Sequence, residues 1–241
     1  MKISVIVPAF NEEKLIVASL RSIKGAMEAL TDAGCESELV VCNNNSTDNT
    51  EELARQEGAK VIFEPVNQIA RARNTGASAA TGDWLIFVDA DSHPSRELFR
   101  DVVAAIRRGD VLAGGSTVKV DGDHPVANCV VGFWNALSRF RKWAAGSFIF
   151  CEAKAFRDIG GFSHELYASE EIELFKRFHR KAKELNRKIV ILHAHPLITS
   201  DRKMRLYTRK EHFRFLTRTV LGFGRTLRDP KECHTWYDGR R

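Results

Sequence analysis

The apolar positions of the chain fall into short unbroken runs alternating with stretches of helical spacing. Ile3 to Val7 is a β-branched run that stops at Pro8, where the backbone lacks a donor, and it reads as a buried strand of a parallel sheet. Asn11 stands where a cap is needed for a helix over 12–30, in which Leu15, Ile16, Ala18, Leu20, Ile23, Met27 and Leu30 recur before Asp32-Ala33-Gly34 ends the pattern. Further strands are predicted at Glu38 to Cys42, Ala59 to Phe63 and Trp84 to Val88. Between them lie a helix capped by Ser46 or Thr47 and running to Gln56, and another over 68–80 closed by Thr81-Gly82. Four strand–helix alternations in about 90 residues predict a mostly parallel sheet with helices on both faces. Regularity then falls: helices are predicted over 95–107, 124–143 and 170–185, and extended segments over 111–120, 148–151 and 189–192.

In open α/β sheets ligands gather at the carboxyl ends of strands. The polar clusters Pro8 to Glu12, Asn43 to Asp48 and Asp89 to Asp91 all follow predicted strands. With 241 residues, 44% hydrophobic and 28% charged, the chain is expected to form one large domain or two tightly packed halves. No apolar run approaches the roughly 20 residues of a bilayer span, and MKISVIVPAF lacks a signal-peptide layout, so a cytoplasmic location is expected. The five cysteines are scattered and show no CxxC spacing, which argues against a disulfide framework or a zinc site. Charge is unevenly spread: residues 202–241 hold twelve Lys/Arg against four acids, interleaved with Phe213, Phe215, Leu216, Val220, Leu221 and Phe223. One or two basic amphipathic helices are predicted there, suited to an anionic partner such as a diphosphate or a lipid surface.

Asp89-Ala90-Asp91 ends the run Leu85-Ile86-Phe87-Val88. In an extended segment residues two apart project to one side, so both carboxylates are expected to approach a single hard cation, Mn²⁺ or Mg²⁺. The competing readings are two solvated acids in a turn, or Asp91 as a helix cap.

Four segments occur together: Val5-Ile6-Val7-Pro8-Ala9-Phe10-Asn11-Glu12, Asn44-Asn45-Ser46-Thr47-Asp48-Asn49-Thr50, Ala70-Arg71-Ala72-Arg73-Asn74-Thr75-Gly76 and Asp89-Ala90-Asp91. Their identity and order resemble the family 2 glycosyltransferases over the first 95 or so residues, with a weaker match to Arg202. The resemblance implies an α/β, GT-A fold: a Rossmann-like, mostly parallel central sheet flanked by helices, here followed by C-terminal amphipathic helices. It divides residues 1–200 into a nucleotide-binding half (1–92) and an acceptor half (93–200), with 201–241 as a basic extension. It implies inverting transfer of a sugar from a nucleoside-diphosphate sugar to a hydroxyl acceptor, which is a glycan, lipid or small molecule.

Carried over residue by residue, the resemblance places Pro8, Ala9, Asn11, Glu12, Asn44 and Asp48 around the base and ribose, and Arg71, Arg73 and Asn74 near the diphosphate. Asp91 is the direct metal ligand, with Asp89 facing the ribose or a metal-bound water and Ala90 between them in the donor site, and His195 is a further candidate ligand. Gly146 and Ser147 border the acceptor pocket, and Arg202 contacts the diphosphate. The catalytic base is one of the pair Glu170 and Glu171, where the family more often has Glu-Asp. The family often carries Asp-Asp-Gly-Ser where this chain has Asn43-Asn44-Asn45-Ser46. Uridine is the commoner donor base in the family, so a UDP-sugar is favoured over a GDP-sugar.

A different class of function is a degenerate nucleotide-sugar binding module that has lost its base, which the asparagine loop and Glu171 motivate. Nucleotidyl transfer lacks a glycine-rich, lysine-bearing phosphate loop, a redox dinucleotide fold lacks GxGxxG after Ile3 to Val7, and nucleic-acid binding would rest on the basic tail alone. The tail is expected to cover the diphosphate or to contact the inner face of a membrane peripherally.

Overall fold

Strand β1 (Lys2–Ala9) is buried at every position from Ile3 to Ala9 and forms part of an eight-stranded sheet. The computed structural model describes residues 1–122, 125–200, 225–229 and 233. After β1 come α1 (Ile16–Asp32), β2 (Glu36–Asn43), α2 (Thr50–Gln56), β3 (Lys60–Phe63), α3 (Ile69–Ala79) and β4 (Trp84–Val88). The second half runs β5 (Ser92–His93), α4 (Arg96–Arg107), β6 (Val111–Val120), α5 (Pro125–Arg141) and β7 (Phe148–Glu152). It ends with α6 (Ala153–Asp158), α7 (Glu170–Glu184), β8 (Lys188–Thr199) and a 3₁₀ turn, Arg225–Arg228. The amphipathic helices predicted beyond Thr199, and Arg202, lie outside the described residues apart from that turn.

The strand order is β3-β2-β1-β4-β7-β6-β8-β5. Because side chains alternate across a strand, β1 and β4 feed two cores at once. Ile3, Val5 and Val7 with Ile86 and Val88 pack against Leu20 and Ile23 of α1 and Phe99 and Val102 of α4. Ile6, Leu85 and Phe87 pack on the opposite face against α3, Phe156 of α6, and Phe175 and Phe178 of α7. The α3 helix sits so close to β1 that a Cβ on Gly76 would lie 2.5 Å from Ile6 Cγ2. Only glycine permits that approach, and the approach sets the depth at which the α3 side chains enter the sheet edge.

β1 to β4 pair in parallel as expected, and the second half is mixed. β7 runs antiparallel to both β4 and β6, while β6 and β8 are parallel. The chain enters β7 from the carboxyl end of β4, pairing Val88 with Phe148, and this reversal carries Gly146 and Ser147 to the tip of β4. Two further expectations are corrected. Asn11 does not cap α1, which begins at Ile16 without a side-chain cap; Asn11 instead adopts φ 53° in the loop before it. β8 is longer than predicted, and His193 to Pro196 lie where its register with β6 shifts between the Ser116–Leu192 and Val118–Leu197 pairs. Pro196 cannot donate to a ladder, which suits a bulge there. Short β5 and α6 carry too few residues for their period to be visible in sequence. Among the described residues no helix is long and apolar enough to cross a membrane.

Candidate active site

The loops after β1 and β2 are bonded into one surface. Ala9 O accepts from Asn44 N at 2.8 Å. Asn11 N donates to Ser46 Oγ at 3.0 Å, and Asn11 Oδ1 accepts from Thr47 N at 2.8 Å. Asp48 accepts from Glu13 N through one oxygen (3.1 Å) and from Thr50 N through the other (3.0 Å), while Glu12 N donates to Thr50 Oγ1 at 2.7 Å. Buried Asn44 donates to Val66 O (2.6 Å) and Glu64 O (3.3 Å) and accepts from Gln68 N (2.9 Å). The structure therefore brings Pro8, Ala9, Asn11, Glu12, Asn44 and Asp48 together, but it employs the side chains of Asn11, Asn44 and Asp48 on the chain's own backbone.

Arg73 of α3 is the hub of the site. Its side chain is 2% exposed, deep enough that an uncompensated charge would be prohibitive. Nη1 donates to Glu170 Oε1 at 2.6 Å; Nη2 donates to Asp89 Oδ1 at 2.9 Å and to Gly146 O at 2.8 Å. One guanidinium thus joins the end of β4, the loop before β7 and the first residue of α7. The planar fork suits this task because it presents several donors in fixed directions. A Cβ on Gly146 would lie 3.3 Å from Arg73 Nη2 and 3.6 Å from the Glu171 carboxyl, so a larger side chain there would press on both groups.

Glu170 and Glu171 open α7, where the helix dipole favours carboxylates. Ser169 precedes them in the left-handed region at φ 60°, a conformation costing about 1 kcal/mol for a non-glycine residue. The two acids are not equivalent. Glu170 is buried against Arg73 and Glu171 is partly exposed; both border a cavity of about 190 Å³ that Arg73, Asp89, Gly146, Ser147 and Tyr167 also line. Burial, then the neighbouring Glu170 and Asp89 charges, push the Glu171 carboxyl up to about 8, against the opposing pull of Arg73.

Asp89, Ala90 and Asp91 leave the extended conformation: Ser92 N donates to Asp89 O at 3.1 Å, closing a turn. The same-side argument from strand alternation therefore fails, and the two acids differ in burial. Asp89 has an 18% exposed side chain and Oδ1 bound to Arg73, while Asp91 is 6% exposed and its carbonyl accepts from Ser200 N at 3.1 Å. Among the described residues Asp89 Oδ2 takes no protein donor, and no group of three His, Cys, Asp or Glu side chains is assembled for a metal. This donor set fits Mg²⁺ or Mn²⁺, ions that take one or two carboxylates and complete their shell with water and substrate phosphates.

His195 is not brought to this set. Its Nδ1 lies 2.9 Å from Asp101 Oδ2 on α4, where the irregular stretch of β8 directs it. Arg71 Nε donates to Gln68 Oε1 at 3.2 Å, leaving Arg71 at the edge of the site. Asn74 faces away from it, holding the backbone of Phe162 through both amide groups. Sequence reasoning missed Gln68, whose amide donates to His164 O (2.8 Å) and Leu166 O (3.0 Å) and so clamps the loop leading to Ser169. It also missed Phe162, under the Arg73 guanidinium, and Tyr167, whose N donates to Leu227 O at 2.7 Å. Their partners lie far along the chain, and no local pattern marks them.

A parallel half-sheet with coupled loops at its carboxyl end, beside two aspartates and an arginine-bridged acid pair, is an α/β arrangement with its polar residues gathered where such sheets bind ligands. The sequence agrees: residues 4–149 match the profile of glycosyl transferase family 2, more than half of the chain, and the protein belongs to that family. An uncharacterized glycosyltransferase of Mycobacterium tuberculosis is 31% identical over 143 residues, 58% of this chain and 61% of that protein. Dolichol-phosphate mannosyltransferase of Pyrococcus furiosus is 32% identical over 124 residues, 48% of this chain and 33% of that one. The chain thus spans about three fifths of the first relative and one third of the second by matched length. Staphylococcus aureus TarS 1-349 in complex with UDP shares the fold with TM-score 0.63 at 24% identity, over 98% of this chain and 68% of that one. Mannosyltransferase PcManGT from Pyrobaculum calidifontis, in complex with GDP-Man and Mn²⁺, gives 0.65 at 21%, over 88% and 59%. The fold is GT-A.

Proposed function

We propose that this protein is an inverting glycosyltransferase that moves a sugar from a nucleoside-diphosphate sugar, UDP-sugar in preference to GDP-sugar, onto a hydroxyl acceptor with the help of Mn²⁺ or Mg²⁺. The observation that carries this reading is the buried Arg73 bridge, which bonds both Asp89 and Glu170 beside a cavity that Glu171 also lines. Asp89 and Asp91 would hold the cation, which when bound stabilises negative charge on the departing diphosphate. Glu171 is the base. Its carboxyl, pushed up to about 8, is a strong acceptor for the hydroxyl proton, and a base of that strength is matched to work near neutral pH. Glu170 keeps Arg73 in place and is positioning rather than reacting, since its carboxylate is already bonded at 2.6 Å. Attack from the Glu171 side, opposite the diphosphate, inverts the anomeric centre.

The UDP preference is supported by likeness to a structure in complex with UDP, and PcManGT with GDP-Man is its competitor. The test is nucleoside-diphosphate release from UDP- and GDP-sugars with Mn²⁺ across a broad acceptor panel. Release from a UDP-sugar is expected; binding of UDP-sugar without turnover on any acceptor would identify a non-catalytic module. Residues 202–241, with twelve Lys/Arg against four acids, are further proposed to touch anionic lipid. Flotation with anionic liposomes should lose the bound fraction when they are deleted, and equal fractions would count against it.

A further inference from the structure

Arg73 makes its three hydrogen bonds through Nη1 and Nη2 alone, and its buried Nε has no partner. These hydrogen bonds all engage the edge of the guanidinium plane and leave its faces to be packed by something else. What lies against it is the ring of Phe162, with the guanidinium carbon 5.1 Å from the ring centroid. Phe162 is 1% exposed and wedged between Phe87, edge-on at 5.3 Å, and Phe156 at 5.6 Å. Its backbone is equally fixed: Phe162 N donates to Asn74 Oδ1 at 2.9 Å and Asn74 Nδ2 donates to Phe162 O at 2.8 Å. Asn74 is the residue after Arg73, so the helix that supplies the arginine also grips the loop that supplies the ring. Gly161 completes the clamp, since at φ 64° a Cβ there would lie 2.6 Å from Asn74 Oδ1.

We infer that Phe162 is a positioning residue of the transfer reaction, its ring setting the plane of the Arg73 guanidinium and Asn74 acting as the clamp that holds the ring, rather than as a ligand of the donor. The inference rests on the reading that Arg73 serves the transfer site. Loss of the ring frees Arg73 to tilt, and Asp89 and the acid pair move with it, so the cost falls on alignment of the reacting groups more than on donor binding.

Phe162→Leu and Phe156→Leu make a matched pair. Both remove an aromatic ring from the same cluster, and only the first removes the ring under Arg73. Phe162→Leu is expected to lower kcat for diphosphate release roughly tenfold, the equivalent of one desolvated cation–π contact, with donor KM changed less than about threefold. Phe156→Leu should stay within about twofold of wild type at temperatures where both are folded. A readout independent of turnover is the Arg73 Nε–Hε resonance, assigned by its loss in Arg73→Lys. It should lose its ring-current shift in Phe162→Leu and keep it in Phe156→Leu. An unchanged resonance in Phe162→Leu, or kcat losses in the two variants within about twofold of each other, overturns the inference. Should the wild-type protein not turn over any donor, the resonance alone decides the positioning, and the failure belongs to the transfer reading.

Discussion

Replacing Arg73 by methionine keeps most of the side-chain volume and deletes the charge. Glu170, with 5% of its side chain exposed, and Asp89, with 18%, then face each other with no cation between them. Removing one partner of a buried ion pair costs about 3–5 kcal/mol, chiefly because the remaining charge is stranded away from water. A chain of this size loses about 2–4 °C per kcal/mol, so the unfolding midpoint should fall by on the order of 10 °C. The cause is separable from lost packing by adding Glu170→Gln, which removes the stranded charge while keeping the shape of the side chain. The double variant should be more stable than Arg73→Met alone by roughly 1–2 kcal/mol, a coupling measurable in a double-mutant cycle by urea unfolding. Turnover should be absent in both. A double variant no more stable than the single one would refute the claim that Arg73 is held in the core by charge compensation with Glu170.

Glu171→Gln should reduce turnover by about 10²–10⁴-fold with nucleotide-sugar affinity retained, measured by diphosphate release and calorimetry. In the wild type kcat/KM should rise as pH passes through about 8, where Glu171 loses its proton. For stability the sign is opposite: the native state holds this proton up to about 8 and the unfolded chain releases it near 4.5, so stability falls with rising pH across that window, and Glu171→Gln should flatten the slope of the melting temperature. Asp91→Ala should abolish Mn²⁺-stimulated turnover more completely than Asp89→Ala; equal Mn²⁺ stimulation in Asp91→Ala and wild type would sink the metal role. His195→Ala should leave the Mn²⁺ titration of turnover unchanged, because its imidazole is engaged with Asp101.

Strands β1 and β4 and helix α4 were legible within a residue or two at either end, because burial on two faces writes a continuous apolar run and one-sided burial writes a helical period. The loop polar residues are legible as a group, and the bonds each one makes are not. Asn11 sits where an N-cap would, yet it accepts from Thr47 N across the loops that β1–β2 pairing brings together; Asn44 donates to Val66 O beyond β3, and Asp48 accepts from Thr50 N two residues on and from Glu13 N across the same loops. Strand alternation puts Asp89 and Asp91 on one side of an extended segment, whereas the chain there turns, with Ser92 N donating to Asp89 O. His195, a candidate ligand only by the family resemblance, lies in the stretch where the register of β8 shifts and meets Asp101 instead.

By itself the sequence determined the α/β alternation, the carboxyl-end placement of the polar clusters and the acid pair at the start of α7. These are consequences of short-range rules: backbone periodicity, dihedral limits and helix-terminus charge. Only the tertiary structure decided which groups meet. Arg73 reaches Asp89 16 residues away, Gly146 73 away and Glu170 97 away, through an antiparallel β7 that no local pattern announced. It also divided Glu170 from Glu171. The two are chemically identical neighbours in the chain, and they differ because the first is bonded to a buried guanidinium while the second stays partly exposed beside the same cavity.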